Sequence, residues 1–193
     1  MNALREWASA SHVLALAIPT VLAFVALARP RRADVACTLA LGLALLVTAS
    51  AALLGSPTAH TLLSAAVRVD VLSCVMLLLV SGIGLSIARY SRPYLHGEAE
   101  VATYCRWFLV TLSAVSLLVV ASDLLVLAAA WTATSLSLHR LLTFYPDRTM
   151  ALVAAHKKFL VSRLADVCLW SAIGLVHLNV GSLSFDRIAE WAA

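Results

Sequence analysis

The chain has 193 residues, 62% of them hydrophobic and only 12% charged, with a mean hydropathy of +0.94. A soluble domain of this length carries about twice that charge, so its deficit has to be met by lipid or by partner subunits. The net charge of +4 does not point to nucleic acid, because no basic patch is interleaved with aromatics. Basic residues in so apolar a chain more often set membrane topology.

Membrane spans need about twenty mostly apolar residues. Six stretches qualify, at 12–28, 36–54, 69–90, 105–121, 124–145 and 151–178. The first is read as a span and not a cleaved signal, since no basic region precedes it and it ends in Ala28-Arg29-Pro30-Arg31-Arg32. Gly55-Ser56-Pro57 closes the second, Ser91-Arg92-Pro93 the third and Tyr145-Pro146-Asp147 the fifth. Only Ser122-Asp123 separates the fourth from the fifth, with Asp123 placed to cap the next helix. The expected fold is thus all-α: a polytopic transmembrane bundle of about six helices occupying 1–180. The tail 181–193 sets Phe185, Ile188 and Trp191 against Asp186, Arg187 and Glu190, a pattern that suits a short interfacial helix.

Charge sets the expected orientation. Arg29, Arg31 and Arg32 lie in the first loop, Arg89, Arg92 and Arg106 around the third, and Arg140, Arg148, Lys157 and Lys158 around the fifth. The second loop has Arg68 alone and the fourth no basic residue. The positive-inside rule then puts odd-numbered loops in the cytoplasm and the N-terminus outside. Cys37, Cys74, Cys105 and Cys168 are far apart and share no metal-ligand spacing with histidine. They read as small apolar core residues, and no metal or cofactor site is expected.

Charge inside a span is the informative feature, because each such group costs several kcal/mol unless paired or hydrated. The sixth span carries His156, Lys157, Lys158, Arg163, Asp166 and His177. On a helical wheel His156, Arg163, Asp166 and His177 share a stripe roughly 80° wide, together with Phe159 and Trp170. Arg163 and Asp166, at i and i+3, can pair directly. Lys157 and Lys158 point away from that stripe, near enough to the cytoplasmic end to reach it. On the fifth span Thr132, Ser135, His139 and Thr143 form a second polar stripe, and His139 titrates near neutral pH. Facing stripes on consecutive helices could hold water and pass protons. The plainer reading has the Arg–Asp pair as a structural clip, His139 as helix–helix glue, the hydroxyls bonded to backbone, and His156, Lys157, Lys158 and His177 as interfacial groups.

Several segments resemble the proton-conducting membrane subunits of respiratory complex I and the related Mrp antiporters, in the N-terminal part of the chain-5-like subunit. These are Arg68-Val69-Asp70, Arg89-Tyr90 with Tyr94 and Gly97-Glu98, Ser122-Asp123-Leu124-Leu125, Trp131, and Phe159 with Ser162-Arg163-Leu164-Ala165-Asp166-Val167. A narrower likeness rests on Trp131 to Leu136, Leu138-His139-Arg140-Leu141-Leu142, Phe144-Tyr145-Pro146 and Lys157-Lys158-Phe159. It is similar to the DabB family, membrane subunits of inorganic-carbon accumulation complexes. That likeness implies a bacterial inner-membrane protein and a DabA-like zinc-bearing cytoplasmic partner. It also implies an ion gradient coupled to carbon dioxide or bicarbonate capture.

The complex I pattern has a glutamate after the fifth-span tryptophan, where this chain has Thr132. The family's broken seventh helix, its eighth span and its inverted second half are also expected beyond these six spans, in a longer product or a second chain. The expected role is a proton or cation path through Thr132, Ser135, His139, Arg163 and Asp166, with His156, Lys157, Lys158 and His177 as secondary candidates. The alternatives are a proton-translocating subunit of an NADH dehydrogenase-like or Mrp-type complex, and a structural scaffold without transport of its own. An enzyme is not expected, since no nucleophile–base pair, zinc motif or phosphate-cradling loop is present.

Overall fold

The computed structural model describes residues 60–62, 67–69, 71–98 and 100–193. The first two expected spans, with Arg29, Arg31, Arg32 and Cys37, lie outside the described residues. Within the expected second loop, β1 (His60–Leu62) pairs antiparallel with β2 (Val67–Val69), His60 opposite Val69. The third span therefore begins later than position 69, as helix α1 (Val71–Tyr94).

Four further helices follow: α2 (Val101–Val120), α3 (Leu124–Leu142), α4 (Thr149–Val180) and the short α5 (Phe185–Ala192). Their ends are chemically marked. Gly97, at φ 96°, turns the chain after α1, a conformation that side chains with a Cβ resist. Asp123 caps α3, its carboxylate accepting from the Leu125 amide at 2.8 Å. Gly181, at φ 74°, ends α4, its amide donating to the His177 carbonyl at 2.9 Å.

Among the described residues α2, α3 and α4 are long and apolar enough to cross a membrane, while the apolar stretch of α1 is the shorter Val75–Ser91. With 32 residues, α4 is about 48 Å long and outruns a hydrocarbon core of about 30 Å. Arg163 and Asp166 sit at its middle, and His156 falls near the edge of the apolar layer.

The helices run antiparallel in sequence. At one end the Ser73 hydroxyl donates to the Val119 carbonyl at 3.2 Å. At that same end the α2–α3 turn pairs with the strand-like link after α4. There Leu124 donates to Leu183 (3.0 Å) and Phe185 to Ser122 (3.2 Å), with Asp123 and Ser184 bridged antiparallel. An open apolar cleft of about 400 Å³ lies beside this clasp, between Leu72, Met76, Leu118 and Phe185. At the other end Ser91 and Tyr104 share a hydrogen bond at 3.0 Å, and Tyr104 meets Phe144 edge-on at 5.6 Å.

Helix α2 packs against both neighbours. Ala88 of α1 with Phe108 and Leu109 of α2 forms a buried cluster flanked by Leu85, Tyr104, Leu112 and, from α3, Leu141. Small residues let the backbones approach, with Ala128, Ala130, Ser135 and Ser137 of α3 all buried. The outer faces are apolar. On α1, Leu72, Met76, Leu79, Ile83, Ile87, Tyr90 and Tyr94 form an exposed stripe at helical spacing, as a lipid- or subunit-facing helix requires.

Candidate functional site

Helix α3 is sandwiched. Ala130 and Ser137 lie on the side facing α2, and Ala128 and Ser135 roughly opposite on the wheel, toward α4. The α4 residues buried in return are Ala155, Asp166 and Ile173. The contact face of α4 thus runs along the edge of the stripe expected from His156, Arg163, Asp166 and His177, and shares Asp166 with it. His177 and Trp170 are exposed, and Lys157 is exposed as well. The reason is steric: small Ala155 and Ser162 permit close approach to α3, while the longer side chains flank the contact and reach in from its edges.

Lys158 corrects the sequence reading most clearly. Its ammonium crosses to α3, 3.2 Å from the Ser135 hydroxyl and 3.4 Å from the Ser135 carbonyl. A four-carbon stem can carry a charge from the flank of one helix to the backbone of the next. No sequence pattern signals that reach, because the wheel position of Lys158 lies off both polar stripes.

Arg163 and Asp166 form an ion pair, Nη2 to Oδ2 2.7 Å, with Asp166 buried and Arg163 partly exposed. The guanidinium also lies 5.2 Å from the Phe159 ring centroid. His139 packs on Phe159 (centroids 4.4 Å) and meets His156 edge-on at 5.6 Å. Arg140, beside His139, turns instead to the Trp107 ring at 5.6 Å. Thr143 donates back to the His139 carbonyl at 3.0 Å, so its hydroxyl is spent on its own helix.

Among the described residues, every buried side-chain polar atom without a hydrogen bond lies in this seam. They are Thr132 Oγ1, His139 Nδ1, and atoms of Arg163 and Asp166 whose 2.7 Å contact is an ion pair lacking hydrogen-bond alignment. Donors and acceptors are both present. Buried polar atoms left unpaired cost about 1–3 kcal/mol each, so such a mixture is the surroundings that hold internal water. Lys158 and Arg163 bring two positive charges against the one carboxylate of Asp166. No group of three or more His, Cys, Asp or Glu among the described residues could hold a metal ion.

Comparison with known proteins defines the class. Residues 57–108 match the family described as NADH-ubiquinone oxidoreductase (complex I), chain 5 N-terminus. Residues 121–192 match the membrane domain of the NADH:quinone oxidoreductase/Mrp antiporter family. The chain belongs to this antiporter-like family of multi-pass membrane proteins.

Within that class it is 43% identical over 125 residues to the "Probable inorganic carbon transporter subunit DabB" of Hydrogenovibrio crunogenus, covering 64% of this chain and 24% of that one. It is 34% identical to the "Probable inorganic carbon transporter subunit DabB2" of Halothiobacillus neapolitanus, over 96% of this chain and 38% of that one. The NADH-quinone oxidoreductase subunit L of Escherichia coli is 31% identical over 64% of this chain and 20% of its own length. The chain thus spans between a fifth and two-fifths of these relatives. Respiratory complex I from Thermus thermophilus contains a similar chain, with TM-score 0.66 and 26% identity over 92% of this chain and 38% of that one. The archaeal membrane-bound sulfane sulfur reductase shares the fold at TM-score 0.76 and 15% identity, over 89% of this chain and 38% of that one.

Proposed function

We propose that this chain is a membrane subunit of an ion-gradient-coupled inorganic-carbon uptake complex, in which the α3–α4 seam forms part of a proton path. Its substrate is bicarbonate or carbon dioxide, and a DabA-like zinc-bearing subunit on the cytoplasmic side carries out any carbon chemistry. The chain itself has no catalytic site. In this reading residues 1–180 form the membrane domain in a bacterial inner membrane, the odd-numbered loops face the cytoplasm, and 181–193 rest at the outer interface.

The observation that carries the proposal is the seam, joined to the likeness to the two inorganic-carbon subunits. Buried polar atoms without hydrogen bonds, set around one ion pair at mid-membrane, serve packing poorly and serve hydrated proton transfer well. Thr132, in place of the glutamate of the complex I pattern, favours the carbon-uptake relatives. The match to subunit L keeps a second reading alive, a proton-translocating subunit of an NADH dehydrogenase-like or Mrp-type complex. Radiolabelled bicarbonate uptake separates the two, measured in cells expressing the complete gene with its neighbours, with and without a protonophore. Protonophore-sensitive uptake is the expected result. NADH- or sodium-linked proton movement without carbon uptake would transfer the assignment to the second reading. A scaffold role predicts that Asp166→Asn lowers stability in detergent and leaves uptake unchanged.

A further inference from the structure

We infer that His139 and His156 together form the cytoplasmic proton-loading site of the seam, holding one proton between them; this rests on the proton-path reading above. The two rings approach edge to face at 5.6 Å between centroids, across the α3–α4 contact near its cytoplasmic end. They differ in access. His156 is exposed and His139 half-buried, so the pair runs from solvent into the seam.

The hydrogen bonds assign the basic nitrogens. His156 Nδ1 is 2.7 Å from the Leu152 carbonyl. A carbonyl only accepts, so Nδ1 carries the hydrogen and Nε2 is the nitrogen that takes up a proton. His139 Nδ1 is buried and has no hydrogen-bond partner, which leaves it as the open atom of that ring. Each ring thus offers one identified nitrogen for exchange.

His156 Nε2 takes a proton from cytoplasmic water and becomes an imidazolium. It returns that proton, by way of a bridging water, to His139 Nδ1 and is neutral again. His139 releases it from Nδ1 to water in the seam, toward Thr132 and Asp166. The charged groups near the pair are Lys158 from α4 and Arg140 from α3, whose guanidinium is turned to the Trp107 ring. Beyond Lys158 lie Arg163 and Asp166. With two cations already near, a second imidazolium is disfavoured, and the pair holds one proton at a time. Asp166 is committed to Arg163, which leaves the histidines to do the loading.

The complete protein in lipid nanodiscs, with nitrogen-15 labelled histidine, provides a test that needs no loss of function. Signals are assigned with His139→Gln and His156→Gln. Between pH 5 and 8 the pair should take up one proton in total, and replacing either ring should change the titration of the other. Two full, independent protonations, or rings blind to each other, would overturn the inference. In an assembly showing driven uptake, each single variant should lower the rate about tenfold and flatten its pH profile, and the double variant should be no worse than either. Wild-type pH profiles in both variants would also overturn it. Absence of driven uptake by the unsubstituted assembly would instead remove the proton-path reading, while the proton count still decides whether the histidines act as a pair.

Discussion

The two sides of α3 make opposite interfaces from similar material. Toward α2, Ala130 and Ser137 pack beside Leu141 and the Phe108–Leu109 cluster, and Ser137 spends its hydroxyl on the Ala133 carbonyl of its own helix at 2.8 Å. Toward α4, Ala128 and Ser135 are just as small, yet the partner helix brings in Lys158, Arg163 and Asp166. On the α2 side no buried side-chain polar atom among the described residues lacks a hydrogen bond, so nothing there calls for water and it is the dry side. The other leaves four buried atoms with no partner, Thr132 Oγ1, His139 Nδ1, Arg163 Nε and Asp166 Oδ1, beside the Arg163–Asp166 ion pair. Small residues create proximity in both cases, and what the neighbouring helix contributes decides whether that proximity seals or conducts.

The contrast can be broken most severely at Asp166. Asp166→Leu strands Arg163 at mid-membrane, and breaking a buried pair in this way costs about 3–5 kcal/mol. Thermal unfolding in detergent should show the loss, and Arg163→Leu/Asp166→Leu together should recover most of it. Leu109→Ala attacks the dry side. It should cost about 2–5 kcal/mol by leaving a cavity, while uptake by the folded fraction stays near wild type; a selective loss of uptake would show that the two sides are coupled.

Lys158→Met should lower stability by no more than about 1.5 kcal/mol, because a long hydrogen bond is traded for apolar packing. Uptake should still fall at least tenfold, so the seam would come to resemble the dry side. Thr132→Glu sharpens the same point by supplying the missing carboxylate. It should raise the melting temperature if Lys158 pairs with it, read against Thr132→Glu/Lys158→Met. Smallest is Asp123→Ala, which removes the α3 cap at about 1 kcal/mol and is expected to leave uptake intact, since the clasp at Ser184 is made by backbone.

Much of the helix framework was legible in the residues. Hydropathy and punctuation marked the helical stretches, Asp123 announced its cap, and the i, i+3 spacing of Arg163 and Asp166 announced their pair. All of these are properties of one helix or one turn. The seam was legible only in part. The wheel grouped Thr132, Ser135 and His139 on α3, which do border α4. On α4 the wheel grouped His156, Arg163, Asp166 and His177; the buried contact runs along Ala155, Asp166 and Ile173, so the two share Asp166 and the stripe lies to one side of the contact line.

By itself, then, the sequence determined that this is a membrane helix bundle of the antiporter-like family, and which charges enter its spans. Only the tertiary structure decided that Lys158 crosses to Ser135, that His139 meets His156, and that the α2–α3 turn clasps the link to α5. The reason is geometric. Helical periodicity sets the angles between side chains on one helix, but the rotation of one helix against its neighbour is settled by packing across the whole interface, and a long side chain then reaches whatever that rotation brings near.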